Sequence, residues 1–234
     1  MKTVILTGSS GGLGKAIFDI LSEKEITLIC IARRFLLYQQ KLAEKKSRYI
    51  KLIEADLSSS EAFNDMENKL AIALDDKETA DIIFINNAAV IEPLGKIGCL
   101  DHAAITASIN VNFLFPMFIT DYLFANRGHR KLKVINITSG AANRGIVGWP
   151  IYCSTKAAAR MYFDVLEKQE INSQDISVIN YDPGIMDSKM QQIIRSKEQA
   201  DFPMVKQFID FKEKGKLVQP QEIANAIIED HIQL

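Results

Sequence analysis

Short, almost uninterrupted apolar runs alternate along this chain with longer stretches whose apolar residues recur every three or four positions. The runs KTVILT (residues 2–7), ITLICIA (26–32), YIKLIEA (49–55), ADIIFINNAA (80–89), KLKVINITS (131–139) and ISVINYDPG (176–184) are rich in Ile, Val and Leu, as strands are. Helical spacing predicts helices over 12–23, 60–74, about 100–124, 150–169 and about 219–230. In the second of these Phe63, Met66, Leu70 and Leu74 fall near one face. Pro150 suits the first turn of the fourth. Strands that are apolar throughout are buried on both faces, and their alternation with helices predicts a parallel sheet covered on either side. No repeat, low-complexity tract or Gly/Ser linker breaks the pattern. We therefore expect an α/β fold, one doubly wound parallel sheet of six strands, as a single domain over residues 1–234.

Composition narrows the function classes. With 28 Lys+Arg against 29 Asp+Glu, no global field draws nucleic acid or an anionic membrane. The cluster Arg127, His129, Arg130, Lys131 and Lys133 reads as a solvated loop before a strand. Cys30, Cys99 and Cys153 form no CxxC pair, which suggests reduced thiols and a cytoplasmic location. The opening MKTVILTG lacks the pattern of a secretory leader, and no apolar run is expected to span a bilayer. Three scattered histidines have no metal-ligand spacing, so no metal is expected.

In such a sheet, ligands bind beyond the carboxyl ends of the strands. The first end reads TGSSGGLG. Gly8, Gly12 and Gly14 permit a tight turn and close backbone approach, and the free N–H groups of the next helix, around Ser10, Gly12 and Leu13, would face a pyrophosphate. After the second run Ala32 precedes Arg33 and Arg34, with no acidic residue for a ribose hydroxyl. An arginine there accommodates a 2′-phosphate, although a solvated basic pair reads the same. Asp56 and Leu57 follow the third run at the adenine end, where Asp56 would serve equally as a helix cap. Asn86, Asn87 and Ala88 follow the fourth, as a cofactor passage or a plain turn. Tyr152 and Lys156, four apart in a helix, share one face. A phenol beside an ammonium is either a surface pair or a device for moving a proton.

Taken in order, these motifs resemble the short-chain dehydrogenase/reductase family over almost the whole chain. They are TGSSGGLG, NNAA (with Ala89 where the family has glycine), Ser139 in NITSGAA, YCSTK from Tyr152 to Lys156, and the PG turn in DPGIMDSKM. The wider pattern is similar to the bacterial sepiapterin reductase-like, or benzil reductase, branch. The resemblance implies that Tyr152 is the general acid and that Lys156 lowers its pKa and grips the nicotinamide ribose. It implies that Ser139 holds the substrate carbonyl and that Asn112, with Asn110 as runner-up, organises a water relay to Lys156. Pro183, Gly184 and Met186 then join Gly8, Ser10, Gly12, Leu13, Gly14, Arg33, Asp56, Leu57, Asn87, Ala88, Tyr152 and Lys156 around NADPH. Ala141, Trp149 and Met186, with Ile146, would wall the substrate pocket, and the stretch from Met186 to Met204 corresponds to the family's substrate lid.

The expected activity is NADPH-dependent reduction of a small ketone or diketone by a homodimer or homotetramer. Ile105, Ile109, Phe113, Phe118, Met161, Phe163 and Leu166 offer apolar faces for such an assembly. An NAD-linked secondary-alcohol dehydrogenase and a non-catalytic dinucleotide sensor are the rivals. The chain departs from the family pattern in ending without the usual last strand and in lacking a matching acidic pterin anchor near the C-terminus.

Overall fold

The computed structural model describes residues 2–74 and 81–232. Six strands, β1 (Lys2–Thr7), β2 (Thr27–Ala32), β3 (Ile50–Glu54), β4 (Asp81–Asn86), β5 (Lys131–Ile137) and β6 (Ile176–Tyr181), form one sheet in the order β3-β2-β1-β4-β5-β6. All five pairings are parallel. The order reverses between β1 and β4, the topological switch point at which such sheets open a crevice.

Alternation along each strand sends its side chains to two separate cores. Ile5 joins one face with Phe84, Val134 and residues of α3 (Ala62–Leu74), α5 (Phe115–Asn126) and α6 (Pro150–Gln169). Val4 and Leu6 join the other with Ile17 and Phe18 of α1 (Gly12–Leu21) and Ile223, Ala224 and Ile227 of α9 (Pro220–His231). A third apolar cluster caps the carboxyl ends of the strands. It includes residues of α7 (Lys189–Arg195) and α8 (Val205–Glu213).

Three elements depart from the sequence reading. Helix α2 (Leu37–Lys45), absent from the expected pattern, connects β2 and β3. The long helix expected over about 100–124 is composite: α4 (His102–Ile109), a π-helical turn at Asn110–Leu114, then α5. Together they make one helical run, His102–Asn126, that is long and apolar enough to cross a membrane, against the expectation that no segment is. Its Val111, Phe115, Ile119 and Leu123 are nonetheless core residues packed beneath the sheet. Helices α7 and α8 give the Met-rich stretch defined structure.

Strand β6 has one strand neighbour among the described residues. Past its end the chain pairs again, where Met186 bridges Val218 and the Val218 N–H donates to Ile185 O at 3.0 Å. His231 closes α9 and Ile232 is buried. The rest of the tail, for which no paired strand is expected, lies outside the described residues.

Candidate active site

A cavity of about 770 Å³ runs along the carboxyl ends of the sheet, and all six strands deliver residues to it or to its wall. At the switch point the chain leaves β1 through Gly8, whose φ of +68° is left-handed, and enters α1 at Gly12, with φ +50°. Both conformations favour glycine. The helix start has no side-chain cap, and Gly11, Gly12 and Leu13 line the cavity, which suits their open N–H groups to an anion. Thr7 Oγ1 accepts from the Asn87 and Ala88 N–H groups, each at 3.0 Å, and Asn87 Nδ2 donates to Thr7 O at 2.9 Å. The loop after β4 is thereby stapled to the glycine-rich turn.

Ser10, Arg33, Asp56, Leu57, Asn87 and Ala88 all line this half of the cavity. Asp56 is not the cap of α3. Its Oδ1 accepts from Ser58 N at 3.0 Å and Ser58 Oγ at 2.8 Å. These bonds, the Ser58 N–H first, hold its carboxyl below the usual range, and the Arg33 charge adds to the effect. The glycine-rich cradle fits the pyrophosphate of a dinucleotide.

Gly14 stands behind the wall. A Cβ there would lie 2.2 Å from Gly8 O and 2.5 Å from Asn87 Nδ2, so its role is close packing of α1 on the turn rather than contact with a ligand.

At the other end Ser139, Tyr152, Lys156, Pro183, Gly184 and Met186 line the same space. Tyr152 and Lys156 are buried, 6% and 4% exposed. Lys156 Nζ donates to Ile137 O at 2.8 Å and sits 6.0 Å from the Tyr152 ring centre. Burial pushes the Tyr152 phenol up to about 12, opposed by the Ser139 hydroxyl and reinforced by the Asp182 charge. The phenol is thus moved opposite to the lowering expected from Lys156, with burial the largest cause. Burial also brings Lys156 down to about 8, with Asp182 opposing.

Asn112 stands outside the cavity, 1% exposed and fully engaged. Its Oδ1 accepts from Val90 N at 2.8 Å, and its Nδ2 donates to Val90 O at 2.8 Å and to Ser108 Oγ and Thr155 Oγ1 at 3.2 Å each. The side chain therefore anchors helix α6 to the loop after β4. Asn110 donates to Ser58 O at 2.7 Å, on the adenine side.

A line of amides crosses the strand ends. Asn86 Nδ2 donates to Asn136 Oδ1 at 2.8 Å, Asn136 Nδ2 to Asn180 Oδ1 at 2.7 Å, and Asn180 Nδ2 to Asp164 Oδ1 of α6 at 2.8 Å. Asp164 is 3.7 Å from Arg160, which also bonds Asn143. Residues 152, 156, 160 and 164 share one face of α6, so the ladder fixes that face relative to β4, β5 and β6.

The short chain dehydrogenase family model matches residues 2–199. The chain is a short-chain dehydrogenase/reductase. It is 32% identical over 230 residues to a benzil reductase ((S)-benzoin forming) of Bacillus cereus, covering 97% of this chain and 92% of that one. It is 30% identical over 237 residues to the sepiapterin reductase of Xenopus tropicalis, covering 96% and 89%. A short-chain dehydrogenase/reductase structure from Saccharomyces cerevisiae superposes with a TM-score of 0.78 at 25% identity, covering 94% and 86%. This family of oxidoreductases binds nicotinamide dinucleotides and acts on small molecules.

Around the short-chain dehydrogenase motifs the structure adds residues that sequence reasoning missed. Thr7, the residue that opens TGSSGGLG, is the staple just described. Asp182, in DPG, lines the cavity and acts on the charge of both Tyr152 and Lys156. Trp149, Ala141, Ile146 and Met186 line the cavity, but Trp149 is equally a core residue. It stacks on Phe202 at 5.0 Å and 2°, and meets Tyr152 edge-on at 5.7 Å. No local signal marks Phe202 or Phe208, because helices far along the chain bring them there.

Proposed function

We propose that this chain reduces a small ketone or 1,2-diketone with NADPH. The observation that carries the reading is one cavity with Arg33 and the glycine turn at one end and Ser139 beside the buried Tyr152 and Lys156 at the other. Arg33 and Ser10 would hold a 2′-phosphate, the open N–H groups of α1 the pyrophosphate, and Lys156 the nicotinamide ribose. When bound, the reduced nicotinamide supplies the hydride that reduces the carbonyl carbon. Ser139 orients the carbonyl oxygen by a hydrogen bond, and the Tyr152 hydroxyl gives that oxygen its proton, so the product is an alcohol. A phenol held near 12 is protonated at neutral pH, which suits the reducing direction over alcohol oxidation. The apolar wall of Ala141, Ile146, Trp149 and Met186 fits a flat, weakly polar substrate, consistent with the similarity to a benzil reductase. The test is NADPH consumption against a panel of diketones, sepiapterin and quinones. Absence of turnover on every one would favour the non-catalytic sensor.

Cofactor choice follows from Arg33. No carboxylate stands at Ala32 to repel a phosphate, and a guanidinium offers it a forked, charge-assisted contact of about 1.5–3 kcal/mol. We expect NADPH over NADH by at least about tenfold in kcat/KM, shrinking in Arg33→Ala. Steady-state kinetics with both cofactors measures it, and equal use by the unmodified chain returns the NAD-linked dehydrogenase reading.

A pH profile tests Lys156. Its charge is complete well below pH 8 and is lost as pH rises through about 8, while Tyr152 keeps its proton over that range. If the charge on Lys156 serves the reaction, the rate of reduction is level toward neutral pH and declines above about 8. A rate that climbs through that region contradicts the assignment.

For assembly, Phe118, Met161 and Val165 present exposed apolar surface on α5 and α6, whereas Phe163 and Leu166 belong to the core and drop out of the expected face. We propose a homodimer or homotetramer through these two helices, and light scattering at micromolar protein that gives a monomer mass counts against it.

A further inference from the structure

Helix α2 buries only one residue, and that residue is polar. Gln39 is fully buried, where an amide without partners carries a desolvation cost. Both ends of its side chain are used. Oε1 accepts from Leu36 N at 3.1 Å, at the start of α2, and Nε2 donates to Ser9 O at 2.9 Å, inside the glycine-rich turn. Tyr38, the preceding residue, donates to Asp19 of α1 at 2.6 Å, and Asp19 also holds Lys15 at 2.6 Å. The start of α2 is thus pinned twice, to the turn from inside and to α1 from outside.

The bond to Ser9 O has a directional consequence. A peptide unit is planar and trans, so its C=O and N–H point opposite ways. Holding Ser9 O toward Gln39 turns the Ser10 N–H away from it, and Ser10 lines the cavity alongside Arg33. The bond to Leu36 N limits the segment from Arg33 to Leu36 at the same time. One buried amide therefore sets the spacing between the two groups assigned above to a 2′-phosphate.

We propose that Gln39 is a positioning residue for cofactor selection, fixing Ser10 and Arg33 as a preformed site for the 2′-phosphate of a dinucleotide. The inference rests on the NADPH reading above. Gln39 does not line the cavity, so its loss should weaken recognition of the extra phosphate and leave the chemical step alone.

The test uses the full chain with Gln39→Met, which keeps the length of the side chain but removes both bonds. Gln39→Glu is the second variant. It keeps an acceptor for Leu36 N while setting a carboxylate against Ser9 O. The expected result for both is an NADPH KM raised about tenfold, the worth of one or two such bonds, with kcat and the NADH kcat/KM within about twofold. Calorimetric titration with adenosine 2′,5′-bisphosphate and with ADP gives a readout independent of turnover. The bisphosphate should lose affinity about tenfold and ADP should not. Equal losses for both nucleotides in a variant with a wild-type melting temperature would reduce Gln39 to a structural residue and overturn the proposal. Unchanged bisphosphate affinity in both variants would overturn it too. If Gln39→Met does not fold, Gln39→Glu decides by the same ratio. If the unmodified chain binds bisphosphate and ADP equally, the NADPH reading itself fails, an outcome visible before any variant is made.

Discussion

Tyr152→Phe should lose at least about 100-fold in turnover, the usual scale of general acid catalysis, while folding and binding dinucleotide as before. The ring supplies the packing: it meets Trp149 edge-on and lies in the cluster with Ile194 and Phe202, and phenylalanine keeps that shape. Only the hydroxyl is removed, from a position beside Ser139. Steady-state turnover on whichever diketone proves reducible, read with a melting curve and a fluorescence titration of NADPH, separates loss of the proton from loss of the fold. Turnover close to that of the unmodified chain would take Tyr152 out of the mechanism.

Gly14→Ala should disable the cofactor end, although local propensity argues the opposite. Within a helix alanine is favoured over glycine by about 1 kcal/mol. Against that, the new methyl would stand 2.2 Å from Gly8 O and 2.5 Å from Asn87 Nδ2, and the nearer neighbour is backbone of the phosphate turn. Overpacking of this kind costs about 1–3 kcal/mol, so the clash wins. Relief requires α1 to back away from the turn that Thr7 and Asn87 staple to β4. We expect a net loss of up to about 2 kcal/mol in denaturant unfolding and at least tenfold weaker NADPH binding. Gly11→Ala is the control: its backbone is extended at φ −156° and a Cβ there meets nothing within 4 Å. A Gly14→Ala protein as stable as that control would show that the helix yields.

The parallel sheet was legible because its strands are apolar on both faces, and the glycine turn, Arg33, Asn87 and Ser139 were legible because each lies just past a strand. Helix α2 escaped because periodicity looks for buried apolar residues, whereas Leu36, Leu37 and Tyr38 are exposed and the buried position is Gln39. The π-helical turn escaped because one inserted residue leaves the spacing of Val111, Phe115, Ile119 and Leu123 at four throughout. At the site, identity was readable and electrostatics were not. The expectation that Lys156 governs Tyr152 took the distance between them from helical geometry, but depth of burial and the carboxylate of Asp182 decide the outcome. Asn112 was found for its motif, while its actual partners, Val90 and Thr155, lie 22 and 43 residues away.

The amide ladder bears on how such an enzyme is re-engineered. Tyr152 and Lys156 take their bearings from β4, β5 and β6 through Asn86, Asn136, Asn180 and Asp164, none of which belongs to the cover of α7 and α8. The ladder and the helical cover are separate parts of one chain that meet at Tyr152. Segment 188–213 supplies Ile194, Phe202 and Phe208 to the cluster that also holds Trp149 and Tyr152, so a graft there has to keep those contacts to leave the phenol in place. A leucine at Asn136 reaches the same phenol from the other side, because it removes the partner of Asn86 Nδ2 and of Asn180 Oδ1.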